Sequence, residues 1–195
     1  TPAVLIPRPE TEGLAERAVA ALRCSPAARP IALDVGTGSG AIAVTLAAAV
    51  PTARVVATDI SPEALAVARG NALALGVGAR VTFVCGSWFE PVSGLFDLIA
   101  SNPPYIPAGE IAGLSPDVKD FDPRGALDAG PDGLGPYREI ASGAPAHLKP
   151  GGLVLVEFGA GQAEAVELAF NMGGFSAAGT YRDLGGHIRC AGFRL

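Results

Sequence analysis

The sequence is poor in the residues that build metal centres and disulfide frameworks. Only two histidines, His147 and His187, and three cysteines, Cys24, Cys85 and Cys190, occur in 195 residues. The cysteines are odd in number and far apart, which argues against a disulfide scaffold and fits a reducing, cytoplasmic compartment. No Cys and His group has metal-ligand spacing, so no metal is expected. Long apolar runs are missing too. The hydrophobic stretches are short and broken by Gly, Pro, Asp or Arg, so neither a membrane span nor a signal peptide is predicted. Positive charge is in deficit, with 14 Lys and Arg against 19 Asp and Glu and a net charge of −5. Duplex recognition leans on clustered cations, so no direct nucleic-acid partner is expected, although local basic patches stay open.

What is present is a globular composition, 49% hydrophobic and 17% charged, at a length that suits one domain with a substantial core. Strand-like runs alternate with helix-like ones, which predicts an α/β fold with a parallel sheet. The pattern predicts helices over Glu10 to Arg23 and Ser39 to Val50, and one from Ser61 as N-cap, with Pro62 behind it, to Leu75. Strands are predicted over Pro30 to Val35, Arg54 to Asp59, Val81 to Cys85 and Phe96 to Ser101. Asn102 to Leu134 reads as one long loop, a length that points to function. A helix over Tyr137 to Leu148, a Pro150-Gly151-Gly152 turn and a strand over Leu153 to Phe158 follow. A helix over Gly161 to Phe170 and two final strands, Phe175 to Tyr181 and His187 to Phe193, complete the chain.

Two motifs carry chemistry. The first is Asn102-Pro103-Pro104-Tyr105, directly after the fourth strand. Planar amide and amino nitrogens are weak nucleophiles, because their lone pair is delocalised. An enzyme that alkylates one must engage its N–H protons with acceptors. The Asn102 side-chain oxygen and the Pro103 carbonyl can form that pair, the two prolines stiffen the loop, and Tyr105 can pack on the planar group. The plain alternative is a proline-rich turn.

The second motif is Asp34-Val35-Gly36-Thr37-Gly38-Ser39-Gly40, between the first strand and the next helix. Glycines let backbone approach a ligand, and free N–H groups at a helix start favour polar or anionic groups. Asp59 ends the second strand, where a carboxylate can take both ribose hydroxyls of an adenosine. These residues suit NAD as well as S-adenosylmethionine. The Asn-Pro-Pro-Tyr motif, Asp34 ahead of the glycines and the C-terminal hairpin favour the methyl donor. Ser87 and Trp88 follow the third strand, where the indole can lie on the adenine or fill the core.

Together these residues resemble the bacterial release-factor glutamine methyltransferases. The resemblance rests on Leu5-Ile6-Pro7-Arg8-Pro9-Glu10-Thr11-Glu12, Asp34 to Ala43, Asp59, Gly86 to Phe89, Ser101 to Ile106 and Asp183-Leu184-Gly185-Gly186 through Arg189. It implies a Rossmann-like, class I methyltransferase domain spanning 1–195, with a mostly parallel seven-stranded sheet and an antiparallel C-terminal strand. It implies S-adenosyl-L-methionine as donor, S-adenosyl-L-homocysteine as product, and the N5 amide of the Gly-Gly-Gln glutamine of a peptide chain release factor as acceptor. On that resemblance Asp34, Gly36 to Gly40, Asp59, Ser87, Trp88 and Asn102 bind the cofactor. Asn102 to Tyr105 grip the glutamine, and Arg8, Pro9, Glu10 and Thr11 close the substrate pocket. Two departures are expected from the resemblance: Ser87 occupies a position that is often acidic, and residues 1–12 read as a remnant of the connection to the family's usual N-terminal helical domain, which is expected to be absent. A monomer is expected. A ribosomal-protein glutamine methyltransferase, a DNA or RNA amino methyltransferase, an NAD-dependent oxidoreductase and a cofactor-binding fragment unable to recruit its substrate are the alternatives.

Overall fold

The computed structural model describes residues 3–119, 121–183 and 185–195, the side chains of Pro9, Glu10, Asp117 and Lys119 excepted. Its chain order is α1 (Pro9–Arg23), β1 (Ile31–Val35), α2 (Ala41–Ala49), β2 (Arg54–Asp59), α3 (Pro62–Ala74), β3 (Val81–Cys85) and β4 (Phe96–Ser101). There follow a short α4 (Pro116–Lys119), α5 (Gly135–Gly143), β5 (Leu148–Glu157), α6 (Ala163–Met172), β6 (Ser176–Arg182) and β7 (Ile188–Arg194). The described strands form one seven-stranded sheet in the order β3-β2-β1-β4-β5-β7-β6. β7 runs antiparallel to β5 and β6, and the other pairings are parallel. This is the expected architecture.

Period-two alternation builds two cores, one on each face of the sheet. Ala32, Val55, Ala57, Leu98 and Leu155 point to one side and pack with Leu14 and Leu22 of α1, Leu46 of α2 and Leu65 of α3. Leu33, Val35, Ile99, Val154 and Val156 point to the other and pack with Ile140 of α5 and Phe170 of α6. Ser61 caps α3 by accepting a hydrogen bond from the Ala64 N–H at 3.1 Å, with Pro62 in the first turn.

Several boundaries differ from the sequence reading, α6 among them, which runs over Ala163–Met172 and not Gly161 to Phe170. α2 starts at Ala41, not Ser39, because Gly40 has a left-handed φ of +84° and ends the loop. α5 stops at Gly143, a 3-10 turn covers Ala144–Ala146, and Leu148 already belongs to β5. The Pro150-Gly151-Gly152 segment is therefore an irregularity inside β5, not a turn before it: Phe96 pairs with Leu148, and Leu98 pairs with Leu153. The 102–134 stretch is also not a plain loop. It carries α4, two 3-10 turns and a parallel bridge between Ile106 and Asp128.

Candidate active site

β1 pairs with β2 on one side and β4 on the other, so the order in which strands are added reverses at β1. Ligands in open parallel sheets bind outside the carboxyl ends of strands at this switch. A cleft of about 430 Å³ lies there, within the range of small-ligand sites. Gly36 to Ser39 from the end of β1, Asp59 from β2, Ser87 and Trp88 after β3, and Asn102 to Pro104 after β4 all line it. Two further segments close it: Ala3 to Leu5, Pro7 and Thr11 on one side, and Pro123, Gly125, Ala126 and Asp128 on the other.

The glycine loop is tied from two directions. Asp59 Oδ2 accepts from the Gly38 N–H at 2.8 Å and Oδ1 from the Ser61 N–H at 2.9 Å, which fixes its carboxylate on the cleft wall. Asp34 is fully buried and not on the wall. Its Oδ2 accepts from Thr37 Oγ1 at 2.6 Å and from the Ala43 N–H at 3.0 Å, so it orders the loop from behind. Asp34 Oδ1 is buried without a hydrogen-bond partner among the described residues. Burial pushes the Asp34 carboxyl up to about 6; the Thr37 and Ala43 bonds oppose this and the neighbouring Asp59 charge adds to it. Gly40 is also off the wall: a Cβ there would meet the Ala68 Cβ at 3.0 Å, so this glycine serves the approach of α2 to α3.

Trp88 stands where the cleft meets the core. It lines the cleft and packs on the core beneath α5 and α6. Its φ of +44° is unusual for a bulky residue. At the other end, Asn102 Nδ2 donates to Thr11 Oγ1 at 2.9 Å, and Oδ1 accepts no hydrogen bond among the described residues. Thr11 is 6% exposed, so α1 supplies a buried anchor for the Asn102 carboxamide. Arg8 lies off the wall and pairs with Asp122 at 3.0 Å. The side chains of Pro9 and Glu10 lie outside the described residues.

Tyr105 is not on the wall either. Its ring packs against the core beneath α5 and α6, and its carbonyl accepts from Gln162 Nε2 at 2.9 Å. Gln162, Asp122 and the Thr11–Asn102 bond are not read from the sequence; only a long-range partner reveals them. At the far end, Asp183 accepts from the His187 N–H at 2.9 Å and pairs with Arg189 at 3.3 Å, which ties the β6–β7 hairpin. Leu184 and Thr1 lie outside the described residues. No group of three or more His, Cys, Asp or Glu able to hold a metal occurs among the described residues.

A profile described as "Methyltransferase small domain" matches residues 19–113. The release factor glutamine methyltransferase of Cereibacter sphaeroides is 50% identical over 98% of this chain and 66% of its own length. That of Bordetella pertussis is 50% identical over 98% of this chain and 70% of its own. The chain thus spans about two thirds of the length of these curated relatives. Among solved structures, an RNA methyltransferase from Salinibacter ruber in complex with S-adenosyl-L-homocysteine matches with a TM-score of 0.60 at 21% identity, covering 97% of this chain and 92% of that one. Sheet order, glycine junction and cleft define a class I S-adenosylmethionine-dependent methyltransferase domain. The chain belongs to the release factor glutamine methyltransferase family, whose methyl donor is S-adenosylmethionine.

The residues present fit that donor. No atom lies within 4 Å of a Cβ built on Gly36 or Gly38, so the loop is open on that side. Asp59 sits fixed beside it, and the wall is mostly apolar beyond these polar groups.

Proposed function

We propose that this protein methylates the side-chain amide N5 of a glutamine, the one in the Gly-Gly-Gln segment of a peptide chain release factor, in the cytoplasm and as a monomer. The observation that carries the reading is the Asn102 carboxamide. It stands on the same cleft wall as Asp59 and the glycine loop, with Nδ2 committed to Thr11 and Oδ1 free to accept. Family membership supports the choice of a glutamine amide over other planar nitrogens.

The donor, when bound, supplies a methyl carbon already activated by its positive sulfur. Gly36 to Ser39, Asp59, Ser87 and Trp88 would hold it. Asn102 Oδ1 and the Pro103 carbonyl accept the two N–H protons of the glutamine amide and turn its nitrogen toward the methyl carbon. Orientation of this kind removes a large share of a barrier, and the same dipoles stabilise positive charge growing on the nitrogen. Transfer would give the amide nitrogen a new N–C bond in place of the donor's C–S bond, whose electron pair would stay on sulfur. The methylated nitrogen is acidic and releases a proton to water, so no strong base or covalent enzyme intermediate is required. Thr11 and the Arg8 segment close the side from which the glutamine enters.

Mass spectrometry of a release factor incubated with the protein and the donor tests this: one methyl on the Gly-Gly-Gln glutamine is expected. Methyl transfer to DNA, rRNA or a ribosomal protein instead would overturn it. Asn102→Ala is expected to lower turnover on the order of a hundredfold or more while S-adenosylhomocysteine still binds, as read by calorimetric titration.

A further inference from the structure

Pro103 and Pro104 have no backbone N–H, so the stretch between Asn102 and Tyr105 cannot be tied down through its own middle donors. It must be held from its ends. At the near end, Ser101 Oγ donates to the Val35 carbonyl at 2.7 Å, and Asn102 is fixed by Thr11. At the far end the hold comes from Gln162, at the N-cap of α6. Its Nε2 donates to the Tyr105 carbonyl at 2.9 Å and to the Gly133 carbonyl at 3.5 Å, and its Oε1 accepts from the Gly159 N–H at 2.8 Å. One amide thus joins the end of the proline loop, the segment just after β5 and the turn just before α5. The fit is close. A Cβ on Gly133 would lie 2.9 Å from the Tyr105 oxygen, and one on Gly159 would lie 2.9 Å from Gln162 Oε1. Beyond Tyr105 the chain continues as a ladder: the Ile106 N–H donates to Leu127 and the Ala108 N–H to Gly130.

We propose that Gln162 is a positioning residue for methyl transfer: by fixing the Tyr105 peptide plane it sets where the Pro103 carbonyl and Asn102 present themselves to the acceptor nitrogen. The proposal rests on the glutamine-methylation reading above. Gln162 does not line the cleft, so its effect falls on the placement of the acceptors and not on the donor side.

The test uses the whole protein. Gln162→Glu keeps the acceptor for Gly159 but has no donor for Tyr105 and Gly133; Gln162→Met keeps the volume without a buried charge. Both are expected to lower kcat on release factor about 10- to 100-fold, since small misplacements cost that much. The affinity for S-adenosylhomocysteine should stay within about twofold. In hydrogen exchange, the Ile106 and Ala108 amides should exchange faster and those of Thr37 and Gly38 should not. Undiminished kcat, or cofactor affinity falling in step with kcat, would overturn the proposal. If the unaltered protein methylates no glutamine, the functional reading fails. The exchange data then decide alone, and unchanged exchange at Ile106 and Ala108 sinks the role of Gln162.

Discussion

Asp34 has no exposed surface, and only one of its two oxygens is bonded among the described residues. Burial raises its carboxyl from 3.8 to about 6, so the folded protein holds this proton more tightly than the unfolded chain does. The stability it contributes is complete below pH 3.8 and is lost as pH rises through 6. The loss amounts to about 3 kcal/mol at 1.36 kcal/mol per unit. Asp34→Asn keeps an acceptor for Thr37 and Ala43 and removes the titration. Urea melts between pH 4 and 7 should therefore show a flatter profile for the variant, and parallel profiles would disprove the assignment. Thr11 is the second residue whose work is visible in one bond. Thr11→Val deletes the hydroxyl that holds Asn102 and is expected to cost about tenfold in kcat, the worth of one hydrogen bond. Thr11→Ser should restore most of it.

At the scale of elements, glycines decide where helices begin and how close they come. Gly40 joins a left-handed φ of +84° to a contact with α3 so close that an added methyl group would have to push Ala68 aside. Gly40→Ala should lower unfolding free energy by about 2 kcal/mol, from backbone strain and the Ala68 contact, measurable as a lower urea midpoint. These elements also show what the sequence carries. The first four strands and the apolar faces of α1 and α2 follow from periodicity, and the Gly-rich junction and Asp59 are legible because they follow strands directly. The start of β5 was not. Pro150-Gly151-Gly152 has the composition of a turn, and only pairing with β4 shows that the strand continues through it. Gln162 was hidden for a related reason: its partner Tyr105 lies 57 residues away, and a side chain bonding to a distant carbonyl leaves no periodic trace. Tyr105 shows the converse. The motif suggested a ring facing the acceptor, whereas the ring lies against the core and its carbonyl is what is held.

Across the whole molecule, the cleft has a rigid floor and a tied cover. The floor is the carboxyl edge of the sheet, continuous with both cores. The cover is two segments far apart in sequence, the stretch before α1 and the stretch before α5, and Arg8 joins them through Asp122 across 114 residues. The pair is asymmetric: the Arg8 side chain is 42% exposed and the Asp122 side chain 4%. Removing the cation therefore leaves a carboxylate with little water, whereas Asp122→Asn leaves only a solvated arginine. Arg8→Ala should accordingly be the more damaging change, about 1 to 2 kcal/mol, reduced from the cost of a fully buried pair by the exposure of one end. That energy belongs to the cover and not to the sheet, so the global melting temperature should move little. Cofactor affinity falls instead with the fraction of closed protein. Titrating S-adenosylhomocysteine into the unaltered protein, Arg8→Ala and Asp122→Asn should give the weakest binding for Arg8→Ala, about three- to tenfold down, with Asp122→Asn between the two. Equal affinities would show that the two segments close the cleft without help from this pair.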